Sequence, residues 1–99
     1  MLAIVAKIVL EPTSVAPYLK AAESILKPTR LEAGCTHYAF ARCIETPTVL
    51  WITEEWDSEQ ALQDHLKSPH ITFFLDQIKT MGVLSVEVRK YQVSSVGGL

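Results

Sequence analysis

The nine residues Leu2-Ala3-Ile4-Val5-Ala6-Lys7-Ile8-Val9-Leu10 constrain the fold most, because they are apolar on both alternating faces and interrupted only by Lys7. Their β-branched content and short length predict a strand. Leu2, Ile4, Ala6, Ile8 and Leu10 fall on one face, and Ala3, Val5 and Val9 on the other. A strand apolar on both sides needs both sides covered. Helices can cover one side of a sheet in a chain of 99 residues. A second sheet from a partner subunit is the expected cover for the other side.

Downstream, Glu11-Pro12-Thr13-Ser14 reads as a turn with Thr13 or Ser14 as a helix N-cap. Val15, Tyr18, Leu19, Ala22, Ile25, Leu26 and Thr29 then recur at three-and-four spacing, which predicts an amphipathic helix. Pro28 lacks the N–H owed to residue 24 and is expected to kink or end that helix, with Gly34 as a C-terminal cap. Cys35 to Ile44 alternates as a strand, with Cys35, His37, Ala39, Ala41 and Cys43 on one face and Thr36, Tyr38, Phe40 and Arg42 on the other. Residues 45–48 make a hairpin-length connection to a third strand, Val49 to Trp56, which carries Leu50, Ile52, Glu54 and Trp56 on one face.

Asp57 or Ser58 caps the next helix, whose apolar side is Ala61, Leu62, His65 and Leu66; Gln60 follows Asp57 at the spacing of a loose capping box. Ser68-Pro69 starts a second short helix, because serine caps and proline suits the first helical position. Ile71, Phe74, Leu75 and Ile78 form its apolar side, and Met81-Gly82 ends it. Val83 to Val93 is the fourth strand. The order is βαββαβ, the split motif of ferredoxin-like α+β domains with an antiparallel sheet. One domain is expected over residues 1–93, with a flexible tail over 94–99.

A formal charge of −2 gives no basic patch, so nucleic acid is not an expected partner. No apolar run approaches the roughly 20 residues of a membrane span, so no membrane association is expected. The first residues lack the basic region of a secretory signal. Cys35 and Cys43, placed on one strand, would lie about 26 Å apart, well beyond the roughly 7 Å limit for a disulfide. Free thiols fit a cytoplasmic protein.

The stretch Glu54–His70 gathers most of the reactive side chains at a strand end that turns into two helices, a favourable place for a pocket. His65 shares a helix face with Leu62 and Leu66, so its ring points towards the sheet. It is either a general base in an apolar cleft or a core histidine bonded to a backbone carbonyl. Glu54 either orients a histidine or takes a proton itself, or else it pairs with Arg42 on the neighbouring strand. His70, at the positive end of its helix, is a candidate for the pocket rim or for surface capping. Tyr38, Phe40, Trp56 and Phe74 are candidates for the walls of a slot for a flat ligand, or are simply core. The histidines lack H-x-x-x-H or H-E-x-x-H spacing, and no glycine-rich phosphate cradle or G-x-S-x-G elbow is present. No metal, no cofactor and no serine-hydrolase chemistry is therefore expected.

The run Glu54-x-Trp56-x-Ser58-x-x-Ala61-Leu62-x-x-His65-x-x-Ser68-x-His70 resembles the antibiotic biosynthesis monooxygenase family of dimeric α/β barrels, including its small quinol monooxygenase-like members. The opening strand Ile4-Val5-Ala6-Lys7 and the segment Glu32-Ala33-Gly34-Cys35 followed by Tyr38 extend the resemblance across residues 2 to 92. It implies a ferredoxin-like protomer, a homodimer with sheets packed face to face, and a pocket between sheet and helices. It also implies cofactor-independent oxidation of a hydroquinone or polycyclic phenol by molecular oxygen. In that reading His65 is the base and Glu54 its orienter or substitute. Tyr38, Trp56, His70, Phe74 and Arg42 contact the substrate. Haem-degrading relatives of this fold use an asparagine, and this chain has none. An isomerase of a small phosphorylated metabolite and a non-catalytic ligand-binding dimer are the alternatives.

Overall fold

The computed structural model describes the whole chain, Met1–Leu99. Four strands, β1 (Leu2–Leu10), β2 (Cys35–Arg42), β3 (Val49–Trp56) and β4 (Val83–Gln92), form one antiparallel sheet in the order β2-β3-β1-β4. Three helices, α1 (Val15–Arg30), α2 (Glu59–Leu66) and α3 (Pro69–Ile78), fill the two crossovers. The expected ferredoxin-like arrangement is therefore present. The two-sided apolar strand β1 sits between β3 and β4. Its even face is buried throughout, and its odd face is only partly covered.

The core lies between that even face and the helices. Ile4, Ile8, Leu50, Ile52 and Trp56 of the sheet meet Tyr18, Ala22, Ile25, Leu62, Ile71 and Phe74 of the helices. α1 packs on α3 and β2, and α2 packs against β3. β4 is left with Leu84, Val86 and Val88 exposed.

Several local expectations are corrected. Ser14 precedes α1 without bonding to it; a short 3-10 turn over Pro12–Ser14 leads in, and the Ser14 hydroxyl accepts the Gly82 N–H at 2.8 Å. It thus ties the start of α1 to the start of β4. Pro28 does not end α1, which runs on through Arg30. Only one backbone bond, to the Ser24 carbonyl, is removed, and burial of Ile25 and Thr29 on either side of the missing bond holds the last turn in place. The cap of α1 is Leu31, and Gly34 stands in the following turn at φ +84°. On β2 an extra residue between Cys35 and His37 shifts the register, so Cys35 faces the core together with Tyr38 and Phe40. A bulge of this kind breaks strict alternation. Both cysteines are free.

The starts of α2 and α3 follow the sequence closely. Ser58 Oγ accepts the Ala61 N–H at 3.1 Å, and Ser68 Oγ accepts the Ile71 N–H at 3.4 Å with Pro69 at the first helical position. Gln60 is not part of a capping box; its amide donates to Asp64 at 2.8 Å.

Candidate functional site

A cleft of about 430 Å³ opens between the helix-facing side of the sheet and helices α2 and α3. Ile4, Ala6 and Ile8 of β1, Ile52 and Glu54 of β3, and Val86, Val88 and Lys90 of β4 form its floor. Tyr18, Leu62, Leu66, Phe74, Leu75 and Ile78 form its roof. Alternation places these sheet residues together, because β1, β3 and β4 are in register at Ile4, Glu54 and Lys90.

Glu54 is the acidic side chain in this lining. Trp56 lies two residues further on the same face, fully buried, and its indole N–H donates to Glu54 Oε1 at 2.9 Å. Burial pushes the Glu54 carboxyl above its ordinary 4.5; the nearby Glu32 adds to the rise, while the Trp56 hydrogen bond and His65 oppose it. Tyr18, also in the lining, has its phenol pushed up to about 12 by burial. At the mouth, Lys90 Nζ donates to Glu59 Oε1 at 2.6 Å.

His65 does turn inwards, and only 3% of it is exposed, but it does not line the cleft. Its ring lies against Trp56 at 4.6 Å between centroids, with Tyr38 edge-on at 5.4 Å. It donates through Nδ1 to Glu32 Oε2 at 2.7 Å. The expected partner, Glu54 or a backbone carbonyl, is thus replaced by Glu32, in the turn after α1. His70 Nε2 approaches the same Glu32 oxygen at 2.8 Å and Ser68 Oγ at 3.3 Å. Ser68 Oγ in turn donates to the His65 carbonyl at 2.7 Å.

Of the side chains expected around a substrate, Phe74 joins Glu54 in the lining. Tyr38 and Trp56 are spent on core packing against His65. His70 is drawn to Glu32. Arg42 lies opposite Leu50 at the far end of the hairpin and donates to the Pro47 carbonyl at 3.2 Å, so it forms no ion pair with Glu54. Burial also pushes the Tyr38 hydroxyl well above its usual range. Glu32, Tyr18, Lys90 and Leu66 were missed as site residues. Tyr18 and Leu66 had shown themselves only as members of apolar helix faces.

The chain is thus a small ferredoxin-like α+β domain with a carboxyl on the wall of an apolar cleft between sheet and helices. The sequence matches the antibiotic biosynthesis monooxygenase family over residues 1–77, and the chain belongs to that family. Solved structures agree in fold. A Deinococcus radiodurans protein provisionally named an antibiotic biosynthesis monooxygenase is 24% identical, with a TM-score of 0.92 over 100% of this chain and 98% of that one. A conserved protein from Methanosarcina mazei Go1 is 26% identical, with a TM-score of 0.86 over 92% and 90% of the two chains. Rv0793 from Mycobacterium tuberculosis is 23% identical, with a TM-score of 0.89 over 98% of each. A comparison with curated proteins finds no match. No helix is long and apolar enough to cross a membrane.

Proposed function

We propose that the chain is a cofactor-independent monooxygenase that oxidises a small hydroquinone or polycyclic phenol with molecular oxygen. The single observation that carries this reading is Glu54, a half-desolvated carboxyl on the wall of a cleft otherwise lined mainly by apolar side chains. A hydroquinone or phenol yields an electron to oxygen readily only after losing a proton. A carboxylate whose burial raises its pKa is a better base than one in water. Glu54, rather than His65, is the group positioned to take that proton.

In the net reaction one oxygen atom enters a substrate carbon and the other leaves as water. All four electrons come from the substrate, so a quinol gives a hydroxylated quinone. The apolar walls exclude water and hold a flat ring against Phe74. Trp56 holds the Glu54 carboxylate in place through its indole N–H. Family membership supports the oxidative reading, and the absence of basic groups in the lining other than Lys90 disfavours a phosphorylated substrate.

The reading includes a homodimer whose sheets pack through the face bearing Val5, Thr53 and Trp51, which no helix covers in the protomer. An oxygen-electrode screen of hydroquinones and anthrone-type phenols, without added cofactor, tests the activity. Uptake is expected with the wild type and is lost in Glu54→Gln, which keeps the shape of the side chain but not its basicity. Full uptake by Glu54→Gln would reject Glu54 as the base. No uptake with any such compound would favour a ligand-binding role.

A further inference from the structure

The geometry points to a binding site for a divalent transition-metal ion, represented by zinc, built from Glu32, His65 and His70 beside the cleft. Glu32, in the turn after α1, meets His65 of α2 and His70 of α3, and their ligand atoms Oε2, Nδ1 and Nε2 all lie within 4.8 Å of one another. Two imidazole nitrogens and one carboxylate oxygen are a donor set suited to zinc and its first-row neighbours.

Both imidazoles turn to the same carboxylate oxygen, at 2.7 and 2.8 Å. A tetrahedral zinc with bonds of about 2.0–2.1 Å needs ligand atoms about 3.3 Å apart. Opening each nitrogen–oxygen contact by about half an ångström, and setting the two nitrogens, now within 4.8 Å, at the same separation, meets that spacing through side-chain torsions. The ion then stands where the shared oxygen accepted two N–H groups, and each neutral imidazole carries its single proton on its other ring nitrogen.

The surroundings favour an ordered site. The His65 ring is fixed by Trp56 and Tyr38, and the Ser68 hydroxyl lies 3.3 Å from His70 Nε2. The His70 side chain is 21% exposed and the Glu32 side chain 15%, which leaves a path for the ion and room for water as a further ligand. The positive end of α3 near His70 opposes a cation, and the Glu32 charge offsets it. This cluster escapes a search by spacing, because Glu32 stands 33 residues before His65.

The full chain, stripped with a chelator and dialysed, is titrated with Zn(II) and with Co(II). One ion per chain, visible bands of tetrahedral Co(II), and a thermal midpoint that rises with Zn(II) are expected. Glu32→Gln retains an oxygen able to accept both imidazole N–H groups, so the metal-free fold survives, yet its affinity is expected to fall at least about tenfold. His70→Ala, at the exposed edge, is expected to lose uptake as well. His37→Ala, which alters a histidine bonded to Thr53 on the opposite sheet face, leaves uptake unchanged. No saturable uptake by the wild type, or equal uptake by Glu32→Gln and His70→Ala, overturns the site. These readouts are independent of oxygen consumption, so this proposal and the proposed activity fail separately.

Discussion

Trp56 donates its indole N–H to Glu54 Oε1 at 2.9 Å across Glu55, the one residue between them, which belongs to the opposite sheet face. The strand itself creates this pair, because residues two apart share a face. A buried N–H and a desolvated carboxyl satisfy each other there. Hydrogen bonds to a charged group contribute about 1.5–3 kcal/mol. Trp56→Phe keeps most of the ring and removes the donor. We expect a loss of about 2 kcal/mol in urea denaturation at neutral pH. We also expect the Glu54 carboxyl to protonate at still higher pH, because the bond that lowers its pKa is gone. Carboxyl-region NMR or infrared titration checks the second effect. An unchanged titration would mean that the indole does not support the carboxylate.

The raised pKa of Glu54 also sets a direction for stability against pH. The folded chain holds this proton more tightly than the unfolded chain, whose carboxyl titrates near the ordinary 4.5. The folded state is therefore favoured fully below that value. It loses this advantage progressively as pH rises from 4.5 to the folded pKa, and the loss is constant above it. Glu54→Gln cannot ionise and can still accept the Trp56 N–H. Its stability relative to wild type should therefore rise as pH increases from 4.5 and level off above the folded pKa, as denaturant midpoints measured side by side would show. A flat difference across that range would mean that Glu54 is as well solvated in the folded chain as in the unfolded one.

The fold was legible because strand and helix periods are local. β1 is apolar on both faces, α1 shows three-and-four spacing, and Ser58 and Ser68 announce the next two helices. Glu54 was legible as a carboxylate on an apolar face. The partner of His65 was not, because Glu32 lies in a turn with no periodicity and reaches the ring only through the tertiary packing of α2 and α3. The extra residue after Cys35 was equally hidden, since a bulge changes register without changing composition. Arg42 shows the limit of face assignment. Its alternation agrees with that of Tyr38 and Phe40, yet at the hairpin end the side chain is free to turn to the Pro47 carbonyl.

Gly34 makes a sharper demand than capping. Its φ of +84° disfavours any side chain, and an added Cβ would stand 2.6 Å from the Ala61 Cβ. Its carbonyl accepts the Asp57 N–H at 2.8 Å, so the turn before β2 is pinned to the start of the α2 segment. Gly34→Ala must either move α2 or strain the turn. We expect a loss of about 2–3 kcal/mol, combining backbone strain with overpacking. Gly34→Ala with Ala61→Gly frees the space but not the torsion, and should recover only part of the loss. Complete recovery would show that the contact, rather than the φ angle, demands glycine.

The helix-free face of the sheet carries the last prediction. Val5 pairs with Thr53 across β1 and β3, and Lys7 pairs with Trp51. The Lys7 ammonium lies 5.9 Å from the centre of the Trp51 ring. Trp51 is 37% exposed, a large aromatic area to leave in water at the middle of a sheet. If two copies bury this face against each other, the interface is closed by the same patch on both sides. One charge introduced per protomer then meets its own copy in a setting poorly screened by solvent. Trp51→Glu, with Lys7 as its neighbour, keeps the protomer soluble and places a carboxylate from each chain in that interface. Sedimentation velocity should find the wild type dimeric and Trp51→Glu monomeric at the same concentration, with circular dichroism unchanged. A wild type that sediments as a monomer would leave this face to water and remove the sheet-to-sheet packing from the proposed assembly.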